Sequence, residues 1–266
     1  MEIENKIFNE DCLEGMKKLD DRCVDVTFTS PPYNDTGGEN QSVNTKGSTH
    51  KKYIHVERKD DWLSWQIDCI DQMLRVSKKY VLYNIQALSK NRKNVYKLIG
   101  HFSERIHDII VWHKPNGTPT STPNKISNTY EFVLILKCDG VEGVDVNSEH
   151  YKNLIKLPTY RNEDFSDIHR AVMSKDFCLE IIKEFTKKDD LVLDPFMGLG
   201  TTAICCIDLE RKYVGFEIAK EYYDISLKRI SENATQTNIF DFIDWKESKK
   251  WQQMNLEIGY KKENTF

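Results

Sequence analysis

Along most of the chain, segments with the hydrophobic pattern of a strand alternate with segments with the hydrophobic pattern of a helix. Short apolar runs predict strands at 3–8, 24–29, 80–85, 106–112, 130–137, 191–194 and 213–217. Apolar positions three or four residues apart predict helices at about 12–19, 60–76, 89–100, 174–186, 201–209 and 220–233. Strands that alternate with helices in this way are typical of an α/β protein built around a sheet.

Several segments lack this periodicity. Residues 34–59 contain mainly Asn, Thr, Ser, Gly, Lys and His, and residues 113–129 are rich in Pro, Ser, Thr and Asn. Both predict long polar loops, which are usually functional or disordered within a compact domain. Residues 138–166 are irregular and mixed in charge. The segment 234–266 is predicted to be an extension with an amphipathic stretch near residues 240–251.

The overall composition limits the possible classes of protein. Lys and Arg total 38 against 42 Asp and Glu, which gives a net charge of −4. This balance disfavours an unselective nucleic-acid coat, but it permits a local basic groove because phosphate contacts require clustered cations. The mean hydropathy is −0.60, and no apolar run approaches the ~20 residues of a membrane span. Since the N-terminus also lacks a signal-peptide pattern, we expect a soluble cytoplasmic protein.

The cysteine and histidine patterns do not predict a metal site. None of the seven cysteines forms a CxxC pair, so we expect free thiols in a reducing compartment. The seven histidines contain no HExxH spacing.

The most distinctive motif in the second half of the chain follows the strand predicted at 191–194. Its residues are Asp194-Pro195-Phe196-Met197-Gly198-Leu199-Gly200-Thr201-Thr202. A strand, a glycine turn and a helix start would present backbone N–H groups and a positive helix end to a ligand. Glu217 ends the next predicted strand, 23 residues after Asp194, where a carboxylate can accept hydrogen bonds from ribose hydroxyls. The spacing alone also suits a dinucleotide site or a purely structural turn.

A second motif, Ser30-Pro31-Pro32-Tyr33, directly follows the strand predicted at 24–29. By itself this motif is more typical of a proline turn at a strand end. Combined with the glycine motif, it predicts a pocket for a flat base beside a pocket for a nucleotide-like cofactor.

The two motifs together resemble those of the DNA amino-methyltransferases that use S-adenosyl-L-methionine. The order, with the base motif before the cofactor motif, resembles their beta class. The resemblance covers most of residues 5–232 and includes the segments 109–116 and 130–134. It implies a Rossmann-like methyltransferase fold, with a mostly parallel twisted sheet and helices on both faces. It also implies one catalytic domain over residues 1–266.

The resemblance implies which residues bind S-adenosyl-L-methionine. The glycine motif would surround the methionine part, Glu217 would hold the ribose, and Asp11 would lie near the adenine. His169 and Phe177 occupy positions where the family lines the methionine. The full predicted set is Asp11, His169, Phe177, Asp194, Pro195, Phe196, Gly198, Gly200, Thr201, Thr202 and Glu217.

Four residues are predicted to carry the chemistry at the target base. The Ser30 hydroxyl and the Pro31 carbonyl would each accept one N–H of an exocyclic amino group. Proline fixes φ and lacks a donor, so Pro31 and Pro32 would hold these acceptors in place. Tyr33 would stack on the base, which is worth ~1–3 kcal/mol. The base must first leave the duplex, at a cost of a few kcal/mol.

Double-stranded DNA is the predicted partner. The candidate phosphate contacts are Lys46, Lys51, Lys52, Arg58, Lys114 and Lys125. Because residues 138–168 offer only a short target-recognition segment, we expect the polar loops or a second subunit to share recognition. A homodimer is therefore a further expected partner. A cognate restriction endonuclease is another candidate partner, whose existence the sequence leaves open.

The serine favours cytosine N4 as the methylated atom, since the family tends to use Ser for cytosine and Asp for adenine. Adenine N6 stays open as the alternative, because a hydroxyl accepts an amino proton from either base. A catalytically silent DNA-binding subunit is a further alternative, which the intact motifs disfavour.

Overall fold

A computed structural model describes residues 2–33, 61–88, 90–116, 124, 126–159 and 172–233. The strands in this part of the chain are β1 (Lys6–Phe8), β2 (Val24–Thr29), β3 (Ser77–Ile85), β4 (Ile106–His113), β5 (Tyr130–Lys137), β6 (Leu154–Lys156), β7 (Leu191–Asp194) and β8 (Lys212–Phe216). The helices are α1 (Cys12–Lys17), α2 (Trp62–Val76), α3 (Arg92–His101), α4 (Lys175–Phe185), α5 (Thr201–Asp208) and α6 (220–233).

The eight strands form one sheet with the order β1-β8-β7-β2-β3-β5-β4-β6. Neighbouring strands are parallel except at β5, which is antiparallel to both β3 and β4. The prediction of a mostly parallel sheet is therefore confirmed. Among the residues that the structure describes, no helix combines the length and the apolar character needed to span a bilayer.

Helices cover both faces of the sheet because the strands are apolar on both sides. In β3, the side chains of Val81 and Tyr83 join one buried cluster, whereas Tyr80 and Leu82 join the other. Helices α1, α2 and α3 pack in the first cluster, and α4 and α5 pack in the second. Strands buried on both faces are characteristic of parallel α/β sheets.

A ligand-binding crevice is expected where the chain changes direction across the sheet. From β2 the chain continues through α2 to β3 on one side, whereas from β7 it continues through α5 to β8 on the other. The helices that follow β2 and β7 lie on opposite faces, so the topology predicts a crevice between the carboxyl ends of these two neighbouring strands. Such switch points are the usual ligand sites of open α/β sheets.

Most element bounds agree with the periodicity, and the differences have local causes. Strands β2, β5 and β7 span the predicted ranges. The main correction is β6, a three-residue strand inside the segment predicted to be irregular, which pairs with β4. Only Ile155 of this strand is buried, so its sequence shows no period. The predicted segments 34–59 and 234–266 lie outside the described residues, as do residues 117–123 and 125 of the predicted loop 113–129. The first residue of that loop, His113, instead ends β4.

Two helical glycines provide a test of how α1 packs on the sheet. A Cβ atom added to Gly15 in α1 would lie 2.2 Å from the Phe216 ring, whereas one added to Gly100 in α3 would meet nothing within 4 Å. We therefore expect Gly15→Ala to destabilise the fold by about 1–3 kcal/mol through overpacking. Gly100→Ala should instead stabilise it by about 0.5–1 kcal/mol through helix propensity. Urea unfolding measures both, and equal shifts in the same direction would contradict the packing of α1 against β8.

Candidate active site

The buried carboxylate of Asp194 joins the two motifs at the crevice. Its Oδ1 atom accepts hydrogen bonds from Thr29 Oγ1 at 2.6 Å and from the Phe196 N–H at 3.0 Å. Its Oδ2 atom accepts one from Thr202 Oγ1 at 2.6 Å. Burial raises the pKa of Asp194, and these three hydrogen bonds oppose that rise. The carboxylate thus ties the end of β2 to the glycine turn and to α5.

The glycine turn has a backbone that glycine adopts without strain. Gly198 has φ 53° and Gly200 has φ 80°, both in the left-handed region. Gly200 is also the N-cap of α5, and a Cβ atom added there would lie 3.0 Å from Ser226 Cβ. The N–H groups of Gly198 and Gly200 are already donated, to Glu217 Oε2 and to the Met197 carbonyl, so the two glycines serve the turn itself.

Glu217 follows β8 and holds the same turn from the other side. Its Oε2 atom accepts a hydrogen bond from the Gly198 N–H at 2.9 Å, and its Oε1 atom accepts one from the Ala219 N–H at 2.8 Å. Asn9 Nδ2 donates to the Glu217 carbonyl at 2.8 Å, which fixes the strand end. Burial raises the pKa of Glu217, and the backbone N–H donors offset part of that rise.

These contacts fit the cofactor predicted from the sequence. A carboxylate offers about four acceptor positions, so Glu217 can accept ribose hydroxyls in addition to its two backbone donors. Pro195 and Thr201 belong to the same turn, between the end of β7 and the first residue of α5. Glu217 therefore has acceptor positions left for a ribose, and the contacts of the turn with the methionine part stay a prediction.

Three other predicted cofactor residues have different settings. Asp11 is the N-cap of α1, and its Oδ1 atom accepts hydrogen bonds from the N–H groups of Leu13 and Glu14 at 2.9 and 3.2 Å. Phe177 is fully buried and stacks on Trp112 with ring centroids 4.0 Å apart. The structure thus gives Phe177 a packing role in the core, and its contact with the methionine part stays a prediction. His169 lies outside the described residues.

The base motif lies at the same edge of the sheet as the glycine turn. Two side chains hold its backbone: Trp62 Nε1 donates to the Pro32 carbonyl at 2.9 Å, and Asn91 Nδ2 donates to the Tyr33 carbonyl at 2.6 Å. Ser30 follows Thr29 directly, so the Thr29–Asp194 hydrogen bond holds the backbone of the base motif close to the cofactor turn. Pro31 is buried at this strand end.

A connected group of polar side chains surrounds the Ser30 hydroxyl, and we call it the polar cluster. Its members are Ser30, Tyr33, Asn84, Lys114 and Glu131. Ser30 Oγ lies 3.1 Å from Tyr33 OH, which donates to Glu131 Oε2 at 2.9 Å. Asn84 Nδ2 lies 3.2, 3.0 and 2.7 Å from those three oxygen atoms in turn. Burial, followed by the Glu131 charge, raises the pKa of Tyr33 well above its ordinary value.

Lys114 has a different setting from the surface cation that the sequence suggested. Its Nζ atom forms an ion pair with Glu131 Oε1 at 2.6 Å, and the two side chains are only 12% and 11% exposed. The reason is positional, because Lys114 directly follows β4 and Glu131 lies on the neighbouring strand β5. Its ammonium is therefore engaged within the polar cluster. The other predicted DNA contacts, Lys46, Lys51, Lys52, Arg58 and Lys125, lie outside the described residues.

Sequence reasoning did not assign roles to Thr29, Asn84 or Glu131. Each is a buried polar residue within a largely apolar strand. A polar residue near the end of an apolar strand is a usable sequence signal of a site residue, since buried polar groups require hydrogen-bond partners. Asn84 and Glu131 meet because β5 runs antiparallel to β3, which brings the start of β5 to the end of β3, whereas Thr29 meets Asp194 through the parallel pairing of β2 with β7.

A comparison with protein families identifies the class. The family model described as DNA methylase, of the N6 and N4 type, matches residues 24–228. This match covers most of the chain, which therefore belongs to the N6/N4 DNA methylase family. The predicted DNA amino-methyltransferase class and its cofactor, S-adenosyl-L-methionine, are thereby confirmed.

Curated relatives match over most of their length. The Type II methyltransferase M.BglII of Bacillus subtilis is 27% identical over 275 residues, which cover 89% of this chain and 71% of that protein. The Type II methyltransferase M2.MboI of Moraxella bovis is 27% identical over 253 residues, which cover 85% and 87% of the two chains.

Solved structures share the fold. The M1.HpyAVI–SAM complex has a TM-score of 0.59 at 24% identity and covers 85% of this chain and 98% of that chain. The cytosine-N4-specific PvuII DNA methyltransferase has a TM-score of 0.65 at 14% identity and covers 88% and 92%. These likenesses confirm the predicted Rossmann-like methyltransferase fold.

Removing the Glu217 carboxylate tests the predicted ribose contact. We expect Glu217→Ala to weaken S-adenosyl-L-methionine binding by ~1.5–3 kcal/mol, the range for hydrogen bonds to a charged group. Isothermal titration calorimetry measures the affinity, and circular dichroism shows whether the variant is folded. Glu210→Ala is the control, since Glu210 pairs with Lys188 away from the crevice. Unchanged affinity in folded Glu217→Ala would count against the ribose contact.

Proposed function

We propose that this DNA amino-methyltransferase methylates the N4 atom of a cytosine flipped out of a specific double-stranded sequence. The Thr29–Asp194 hydrogen bond of 2.6 Å supports the proposal most directly. It fixes the base motif beside the cofactor turn, and methyl transfer requires donor and acceptor to be held close together and in line.

The chain's own residues supply the geometry of the reaction. The lone pair of an exocyclic amino group is delocalised into the ring, so the site must turn the nitrogen towards a tetrahedral shape. The Ser30 hydroxyl and the Pro31 carbonyl do this by accepting the two N–H groups, and they stabilise the positive charge that develops. S-adenosyl-L-methionine supplies an electrophilic methyl group. Tyr33 is proposed to stack on the flipped base.

The charge of the polar cluster favours cytosine. In the family, a serine at this position tends to accompany cytosine N4. The Glu131 carboxylate beside Tyr33 is balanced by Lys114, so the cluster presents a neutral hydroxyl to the base rather than a free carboxylate. Adenine N6 is the alternative, because a hydroxyl also accepts a proton from its amino group.

Partner molecules follow from the same proposal. Double-stranded DNA is the substrate, and a second copy of the chain would share recognition with the segment 138–168. A cognate restriction endonuclease is a further proposed partner, since the curated relatives are named as Type II methyltransferases.

Product analysis and a Ser30 variant test the proposal. Nucleoside mass spectrometry of methylated DNA should find N4-methylcytosine. A product containing N6-methyladenine alone would overturn the choice of base and leave the fold and cofactor unaffected.

We expect Ser30→Ala to lower turnover by ~10²-fold or more with near-normal cofactor affinity, because the missing acceptor acts mainly in the transition state. Ser64→Ala, on the exposed face of α2, is the control, and near-wild-type turnover in Ser30→Ala would contradict the mechanism.

A salt titration tests the proposed DNA contacts in the segment 34–59. If Lys51 and Lys52 neutralise phosphates, substituting both with Ala should lower the slope of log affinity against log salt by about 0.9 for each phosphate that the variant leaves unneutralised. Lys188→Ala is the control, since Lys188 precedes the amino end of β7, whereas the base motif follows the carboxyl end of β2. Fluorescence anisotropy with duplex DNA at several salt concentrations measures the slopes. Equal slopes in wild-type and doubly substituted protein would exclude these phosphate interactions.

A further inference from the structure

We propose that Ser30, Tyr33 and Glu131 form a proton path, and that Glu131 receives the proton that the amino nitrogen loses on methylation. The inference rests on the proposed function only in requiring an exocyclic amino group as the acceptor of the methyl group. It holds equally for cytosine and for adenine.

The reaction needs such a path because the methylated nitrogen carries one proton too many. The nitrogen lone pair forms the new N–C bond, while the bond from the methyl carbon to sulfur breaks and leaves its electron pair on sulfur. One N–H bond must then break, with its electrons returning to nitrogen. An exocyclic base nitrogen is a very weak base, so its protonated form is a strong acid and a carboxylate can accept the proton.

The distances in the polar cluster allow the transfer. The proton passes from the amino nitrogen to Ser30 Oγ, the Ser30 hydroxyl proton passes to Tyr33, and the Tyr33 hydroxyl proton passes to Glu131. The two transfers inside the protein cover 3.1 and 2.9 Å, which are hydrogen-bond distances. Each hydroxyl gains one proton and loses one, so Glu131 alone changes its charge.

The tyrosine in the middle of the path never needs to ionise. Burial and the Glu131 charge raise the pKa of Tyr33 well above its ordinary value, which excludes a tyrosinate base at neutral pH. A hydroxyl that accepts one proton while donating another avoids that charge. The direction of the pKa shift therefore agrees with a path through Tyr33 and disagrees with Tyr33 as the final acceptor.

Asn84 holds the three oxygen atoms of the path together. Its Nδ2 atom lies within 3.2 Å of Ser30 Oγ, Tyr33 OH and Glu131 Oε2, and its two N–H groups can bond two of them at a time. The opposite amide orientation would place an amide oxygen 2.7 Å from the Glu131 carboxylate, which is repulsive. Asn84 is thus a positioning residue.

Lys114 sets the state of the final acceptor. It bonds Oε1 of Glu131 at 2.6 Å and leaves Oε2 facing Tyr33. A buried carboxylate requires such a partner, and removing its charge leaves the ammonium buried and unpaired. Protonated Glu131 beside Lys114 is therefore a short-lived state of the product complex, and the proton passes to solvent when the product leaves. Glu131 accepts the proton through Tyr33 and Ser30 and does not itself contact the base.

Steady-state kinetics on the full chain with duplex DNA test the path. We expect Tyr33→Phe and Glu131→Gln each to lower kcat by about 10²-fold, the lower end for lost proton transfer. KM and cofactor affinity should stay within about twofold of wild type. The double variant should be no slower than the slower single variant, since residues that act as one unit have non-additive effects. Glu184→Gln is the matched control, because Glu184 is also buried and hydrogen-bonded but contacts Ser148.

A spectroscopic measurement separates proton transfer from a structural role. Infrared difference spectra of the product complex should show the carbonyl band of a protonated carboxylic acid, and Glu131→Gln should lack it. Absence of the band in wild type, or a kcat of Tyr33→Phe within about twofold of wild type, overturns the path. A Tyr33→Phe variant in which KM rises while kcat is unchanged also overturns the path. Where Glu131→Gln does not fold, Tyr33→Phe decides by itself, because it leaves the Lys114–Glu131 pair intact. Wild-type protein that methylates neither base refutes the proposed function instead.

Discussion

The hydrogen bonds to the buried Asp194 carboxylate are the interaction on which the rest of the site depends. A carboxylate removed from water is costly unless its oxygens are bonded, and Thr29, Phe196 and Thr202 supply the donors. These donors come from β2, from the cofactor turn and from α5. One buried group therefore determines how far the base motif lies from the glycine turn. The loss of any donor would affect both halves of the crevice, since the unsatisfied carboxylate must find a new partner.

The polar cluster solves a different electrostatic problem. Asp194 is satisfied by neutral donors alone, whereas Glu131 is balanced by the full charge of Lys114. Substrate amino groups are neutral before the reaction and become positive during it. A site with no net charge can bind the neutral base and does not strongly attract cations in its place. In the proposed mechanism, the hydroxyl and carbonyl oxygens at the strand end then favour the charged transition state, which is the differential binding that catalysis requires.

The strands and motifs are predictable from the sequence where the signal is local. Strands β2, β5 and β7 are long or strongly apolar, and Ser30 and Asp194 directly follow or end two of them. The partners of these motifs are not predictable in the same way. Asn84 meets Glu131 only because β5 inserts between β3 and β4 in the antiparallel direction, a long-range pairing that no local period encodes. Composition assigns Lys114 to a polar loop, although its neighbour across the strands determines its role.

Sheet topology, rather than the order of the motifs, creates the site. The base motif and the cofactor motif are far apart in the sequence, since Asp194 comes 165 positions after Thr29, yet β2 and β7 are neighbours and end on the same side of the sheet. A chain with the two halves exchanged could place the same side chains in the same crevice. What cannot change is the set of buried partners: the carboxylates, their donors and the glycines with positive φ. Relatives at 27% identity are therefore expected to keep these contacts while most surface positions differ.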